Sequence, residues 1–83
     1  MELTSLHKGQ QAQIKGIKET CPLEVRHRLL DLGFVIGASV RIQNISPLGD
    51  PIAYDIHDTL ICLRKDDAFN VLIELTNKGK DEK

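Results

Sequence analysis

The stretch Pro22-Leu23-Glu24-Val25-Arg26-His27-Arg28-Leu29-Leu30-Asp31-Leu32-Gly33 decides the fold. It predicts the one convincing helix of the chain, over Leu23 to Leu32. Pro22 stands at the entry, where its missing N–H costs nothing because the first helical amides lack partners anyway. Gly33 stands just past the end, where a left-handed residue commonly closes the last turn. At helical spacing Val25, Leu29 and Leu32 share one narrow face, and Leu23 and Leu30 form a second apolar edge further round. Glu24, His27, Arg28 and Asp31 fill the polar side, and Arg26 lies between the two edges. A helix this short is not stable alone in water. It must pack on something, with Val25, Leu29 and Leu32 as its anchors.

The rest of the chain reads as short strands, which supply that something. Upstream, Met1 to Lys8 is a lead-in, and Lys8-Gly9 marks a turn. Gln11 to Ile17 reads as a first strand, with Ala12 and Ile14 alternating against polar neighbours. The alternation slips at Gly16, which predicts a bulge or bend there. Downstream, Phe34 to Ala38 is a connector hinged at Gly37, and Ser39 to Ser46 is a second strand with Val40 and Ile42 on one side. Pro47-Leu48-Gly49-Asp50-Pro51 is a dense turn cluster. Ile52, Tyr54 and Ile56 mark a third strand, and His57-Asp58-Thr59 is a tight turn. Leu60 to Arg64 is a fourth strand, with Ile61 and Leu63 on one face and Cys62 and Arg64 on the other. Lys65 to Ala68 is a short helical link, and Phe69 to Leu75 is a fifth strand with Val71 and Ile73 facing in. Five short strands between turn signals predict a small barrel, closed or partly open, with a helical insertion between strands one and two. Residues 1–75 form one domain, and 76–83 read as a polar, disordered tail.

Composition narrows the function classes. With 83 residues there is room for one domain and a small core. Lys and Arg number 11 against 12 Asp and Glu. A nucleic-acid binder usually carries a clear positive excess, so nucleic acid is a poor expectation. No apolar run reaches membrane-spanning length, and Met1 to Lys8 carries no signal-peptide pattern. The expectation is a cytoplasmic protein in which Cys21 and Cys62 are reduced thiols, although counting alone also allows one disulfide.

The run Arg28-Leu29-Leu30-Asp31-Leu32-Gly33-Phe34-Val35-Ile36-Gly37 resembles the central motif of the FeoA family, ferrous iron transport protein A. Ser46-Pro47-Leu48-Gly49-Asp50-Pro51-Ile52 looks like its second motif, and Leu63-Arg64-Lys65-Asp66-Asp67-Ala68 like its third. The opening Leu3-Thr4 with Leu6 and Gly9, followed by Ala12, Ile14 and Ile17, is similar to its first strand. Two positions depart from the pattern. His57-Asp58-Thr59 stands where a Gly is usual, and Ile36 where a Pro is common. Asp58 tolerates a left-handed backbone, so the turn survives. The resemblance implies a mainly β fold, an SH3-like five-stranded barrel with its helix inserted between the first two strands. It also implies an accessory, regulatory role in ferrous iron uptake, with a FeoB-like membrane transporter that carries a GTPase domain as partner.

The side chains can be weighed for chemistry beside that resemblance. Soft and intermediate metal ligands are His7, Cys21, His27, His57 and Cys62. None forms the close pair that presents two ligands from one turn. The nearest cluster is Asp55, His57 and Asp58, one histidine short of a two-histidine, one-carboxylate ferrous set. The expectation is no tight site and no cofactor, with weak Fe2+ or Zn2+ binding as the alternative reading. Cys62 reads as a small packing residue, and Cys21, ahead of Pro22 in a loop, as exposed. No nucleophile motif and no P-loop appears, so no enzyme activity is expected. An SH3-like fold suggests proline-peptide binding, but such grooves need aromatics. This chain has no Trp, one Tyr and two Phe, with Tyr54 on a core strand and Phe34 and Phe69 at element ends. What remains is a protein-binding surface. Leu23, Arg26 and Leu30 on the helix form one candidate, and the loop Pro47, Leu48, Gly49, Asp50 and Pro51 a second, preorganised by its prolines. Self-association through the helix edge is the further alternative.

Overall fold

A computed structural model describes residues 1–76 of the chain. A 3₁₀ turn, Leu3–Ser5, leads into β1 (Gln11–Ile17), α1 (Leu23–Asp31), β2 (Ser39–Ile45), β3 (Ile52–Ile56), β4 (Thr59–Leu63), α2 (Lys65–Ala68) and β5 (Val71–Leu75). The strands form one antiparallel sheet in the order β4-β3-β2-β1-β5. The expected mainly β fold with one inserted helix is the observed one. β4 and β5 do not pair with each other, so the barrel is the partly open form, and α2 carries the chain across the gap.

The sheet curls because two of its ladders slip. The β1–β5 register shifts between Ile14 and Gly16, as the broken alternation predicted. A second shift lies between Ile42 and Asn44 in the β2–β3 ladder. Each bulge bends its strand and increases the local twist, which wraps one face around the core. That face carries Ala12, Ile14, Val40, Ile42, Tyr54, Ile56, Leu63, Val71 and Ile73, all buried. Helix α1 covers it with Leu29, fully buried, and with Val25 and Leu32, partly buried against the same cluster. Burying a leucine of this kind contributes roughly 1.5–3 kcal/mol, which holds a helix too short to persist alone.

Four sequence readings need correction. Met1 to Lys8 is more than a lead-in. Leu3 and Leu6 belong to the core, Glu2 bridges Leu72, and the Ile73 N–H donates to the Met1 carbonyl at 2.8 Å. The two cysteines exchange their expected places: Cys21 is buried and Cys62 is exposed, both as free thiols. The Cys21 N–H donates to the Lys18 carbonyl at 3.0 Å, folding the loop so that the thiol closes the core beneath the helix entry. Cys62 faces away from the core, as its alternation with Ile61 and Leu63 requires, but no second layer covers that face. Phe34 stands just past the helix end as expected, is fully buried there and meets Tyr54 edge-on, with ring centroids 6.5 Å apart. Phe69 instead is half exposed and lies outside the strand, with the Lys18 ammonium 3.2 Å from its ring centroid. The polar tail predicted from residue 76 lies outside the described residues beyond Thr76.

Candidate functional site

The helix edge is positioned by its two ends. At the C-terminus Leu32 caps the helix and Gly33 takes a left-handed φ of +110°. The Phe34 N–H donates to the Leu29 carbonyl at 3.0 Å and the Gly33 N–H to the Leu30 carbonyl at 3.1 Å. This is a Schellman closure, with Leu29 and Phe34 as its apolar pair in the core. At the N-terminus no side chain caps the helix. Arg26 fixes that end instead, its Nη2 donating to the Lys18 carbonyl at 2.8 Å. Arg26 is thus a half-buried tether between α1 and the end of β1. Leu23 and Leu30 are 65% and 40% exposed and remain on the surface as the second apolar edge. Val35 and Ile36, which the sequence reading did not single out, extend the exposed apolar surface beyond the helix. The available signal was a pair of apolar residues between Gly33 and Gly37, outside any strand.

The second candidate is the β2–β3 loop. The Gly49 N–H donates to the Ser46 carbonyl at 2.8 Å, and Gly49 has a left-handed φ of +87° that favours glycine. The peptide Asp50–Pro51 is cis. Leu48 stands 93% exposed at the tip, and Pro47 and Pro51 flank it on the surface. Asp50 is not free: its Oδ1 accepts the Lys65 N–H at 2.9 Å. Burial, and secondarily the charge of Asp50, push the Tyr54 phenol up to about 12.

Both candidates are tied to α2. Arg28 of α1 pairs with Asp67 at 2.6 Å, and Asp50 of the loop holds the first amide of the same short helix. The structure therefore links the two surfaces through four residues, Lys65 to Ala68. On the opposite side of the chain start, Lys18 bonds Glu2 at 3.1 Å, and that ammonium holds the Glu2 carboxyl below the usual carboxylate range.

Of the metal-ligand candidates, Asp55, His57 and Asp58 border one open surface hollow together with Arg41, and the others lie elsewhere. Asp55 accepts from Arg41 Nε and Nη2 at 3.2 and 3.0 Å. His57 and Asp58 form the exposed β3–β4 turn, both left-handed at φ 52° and 63°. His7 and His27 are exposed on separate segments. Among the described residues no three His, Cys, Asp or Glu side chains gather where they could hold a metal ion. No described helix is long and apolar enough to cross a membrane.

Comparison with known proteins fits this architecture. The FeoA domain matches residues 1–75. A fusion of Fe(2+) transport protein A and the Fe(2+) transporter FeoB from Porphyromonas gingivalis is 37% identical over 79 residues, covering 95% of this chain. This chain spans only 9% of that fusion protein's length. The solution structure of iron(II) transport protein A from Clostridium thermocellum superposes with a TM-score of 0.80 at 36% identity, covering 92% of this chain and 46% of that one. The crystal structure of Stenotrophomonas maltophilia FeoA, complexed with zinc and described as a prokaryotic SH3 domain protein, superposes with a TM-score of 0.78 at 28% identity, covering 89% of each chain. Matched over almost all of its described length, with the motifs of its helix, its proline loop and its β4–α2 corner in their expected places, this chain belongs to the FeoA family, whose link is to ferrous iron transport.

Proposed function

We propose that this domain is a cytoplasmic accessory of ferrous iron uptake that docks on a FeoB-type transporter, one whose GTPase domain the family resemblance implies, and regulates it. The observation that carries this reading is the Porphyromonas gingivalis fusion, which joins a transport protein A part and a FeoB part in one chain. Tethering raises the effective concentration of two modules to about millimolar, so such a fusion suits partners that act while in contact. The surface chemistry is consistent with docking. Leu23, Leu30 and Leu48 are exposed large apolar side chains, and the segments carrying them are braced by Arg26, Arg28 and Asp50. A braced surface loses less entropy on binding than a loose one. No constellation of nucleophile, base and oxyanion donor enters this reading, which therefore needs no catalysis.

Calorimetry with the cytosolic part of a FeoB-type transporter tests it, in the nucleotide-free and nucleotide-bound states. Binding is expected, and Leu30→Glu and Leu48→Asp are each expected to weaken it about tenfold, the scale of an apolar contact at an interface. Lack of binding in both states would refute the reading.

The zinc complex of the Stenotrophomonas maltophilia relative favours a second reading, weak Fe2+ or Zn2+ binding and delivery. Here Asp55, His57 and Asp58 are the candidate ligands, and Asp55 must first leave Arg41. A metal titration that His57→Ala leaves unchanged would remove that site from consideration.

A further inference from the structure

The sheet has two outer strands, and the chain treats them differently. The β5 edge is covered by the N-terminal segment, through the Met1–Ile73 hydrogen bond and the Glu2–Leu72 bridge. Among the described residues, β4 has no backbone partner other than β3. Its geometry says which groups are left over. The turn His57-Asp58 is left-handed at both positions and joins Ile56 to Thr59, a two-residue hairpin whose closing pair is hydrogen-bonded. Antiparallel pairing alternates from there. Ile61, opposite Tyr54, and Leu63, opposite Ile52, are therefore bonded to β3. Leu60 and Cys62 send their N–H and C=O groups outward. Their side chains are exposed too, Leu60 by 61%. Natural edges of this kind are usually guarded by Lys, Pro or an inward charge. Thr59-Leu60-Ile61-Cys62-Leu63 has none of these.

The charges flanking β4 select an occupant. An antiparallel second copy centred on Ile61 sets Leu60 against Cys62 of the second copy, so their outward amides and carbonyls meet. The same register sets Asp58 against Arg64 of the second copy, and two-fold symmetry repeats the pair at the other end. Arg64 shares the parity of Leu60 and Cys62 and lies on the outer face with them, and Asp58, in the turn ahead of Thr59, is exposed beside Leu60 on that same face. Neither Asp58 nor Arg64 belongs to any ion pair among the described residues. Arg64 is extended, at φ −79° and ψ 154°, and continues the strand direction. The neighbouring registers lose this match. Centring on Cys62 sets Asp58 against Asp66, and centring on Leu60 sets it against Cys62.

We propose that β4 is a self-pairing edge, along which two copies of this chain join antiparallel about Ile61, with Asp58–Arg64 ion pairs at both ends. The contact goes beyond docking on a transporter and uses none of the residues assigned to that role. An edge-to-edge contact is well below the standard interface size, so the dimer is weak, with a dissociation constant of roughly 0.1–1 mM.

Sedimentation equilibrium on the purified chain tests it. A monomer–dimer equilibrium in that range is expected. Arg64→Glu and Asp58→Lys each place like charges opposite one another twice, and each should weaken the dimer about tenfold. An equimolar mixture of the two variants restores opposite charges at both ends and should dimerise as the parent does. Asp58→Asn, which keeps the left-handed turn, should give about a threefold loss and serves if Asp58→Lys does not fold. Cross-linking reads the register independently. The two Cys62 residues lie on a diagonal with Cβ atoms about 7 Å apart, beyond disulfide reach. A short bis-maleimide should therefore join them while oxidation alone does not. A chain that stays monomeric at millimolar concentration, association that ignores both charge changes, or ready formation of a Cys62–Cys62 disulfide would each overturn the proposal.

Discussion

Raising the pH through the alkaline range titrates one phenol that the core holds protonated. The chain has one tyrosine and no tryptophan, so phenolate absorbance reads Tyr54 alone. Tyr54 is 1% exposed, and burial followed by the charge of Asp50 lifts its pKa from 10.0 to about 12. Below pH 10 the phenol is protonated in both the folded and unfolded chains, and its contribution to stability is fully present. Above that, the unfolded chain releases the proton first, so stability falls as pH rises towards the folded value and levels off beyond it. Moving the pKa from 10.0 to about 12 corresponds to about 2.7 kcal/mol in all, with about half lost by pH 11. That is a large part of the margin of a small domain. The assay pairs phenolate absorbance against pH with urea unfolding at each pH. Tyr54→Phe serves as the reference for every other effect of alkaline pH, and the difference between the two proteins is the expected 2.7 kcal/mol or so. Asp50→Asn should lower the midpoint slightly, as the smaller of the two causes. Half-titration of Tyr54 near pH 10 with the fold intact would refute the reasoning, because it would mean that the phenol reaches water.

Other consequences can be checked directly. In the native protein a maleimide should modify Cys62 at once and Cys21 only after unfolding, as mass spectrometry of labelled peptides can show. Arg26→Ala should destabilise the fold by about 1.5–3 kcal/mol, because it leaves the Lys18 carbonyl without its charged donor. Urea unfolding measures that loss, and an unchanged midpoint would return Arg26 to the list of free surface residues. Asp50→Ala should cost about 1 kcal/mol through loss of the cap on the Lys65 amide. It should also loosen the Pro47 to Pro51 loop, visible as faster amide exchange at Gly49.

The strands were legible because alternation is local. Ala12 and Ile14, Val40 and Ile42, and Ile52, Tyr54 and Ile56 face the core where their spacing says they should. The helix was legible from Pro22 and Gly33 for the same reason. Burial outside regular elements was not. Cys21 sits in a loop, where no period indicates which way a side chain points, and only the fold of Lys18 to Pro22 carries its thiol inward. Cys62 shows the complementary gap. Its parity was readable, but whether a second layer covers that face depends on the whole chain. The roles of Arg26 and Asp50 escaped for a further reason: each bonds a backbone group several positions or a whole hairpin away, and such partners leave no mark in composition. At Leu23, Leu30 and Leu48 the predicted surface is exposed, while the proposed ligands Asp55, His57 and Asp58 remain a turn and its neighbouring ion pair.

The contact between Met1 and Ile73 spans 72 positions, and it has a consequence in time rather than in space. Leu3 and Leu6 leave the ribosome well before Val71 and Ile73, the far wall of the core that they complete. No shorter piece of the chain can bury both. Folding must therefore wait for closure of a loop that spans the whole domain. Topologies dominated by such distant pairings fold in milliseconds to seconds rather than microseconds. During that interval β4 already carries its apolar sequence while the closing strand is still missing. The domain passes through a nascent stage in which its stickiest edge is ready before its shape is.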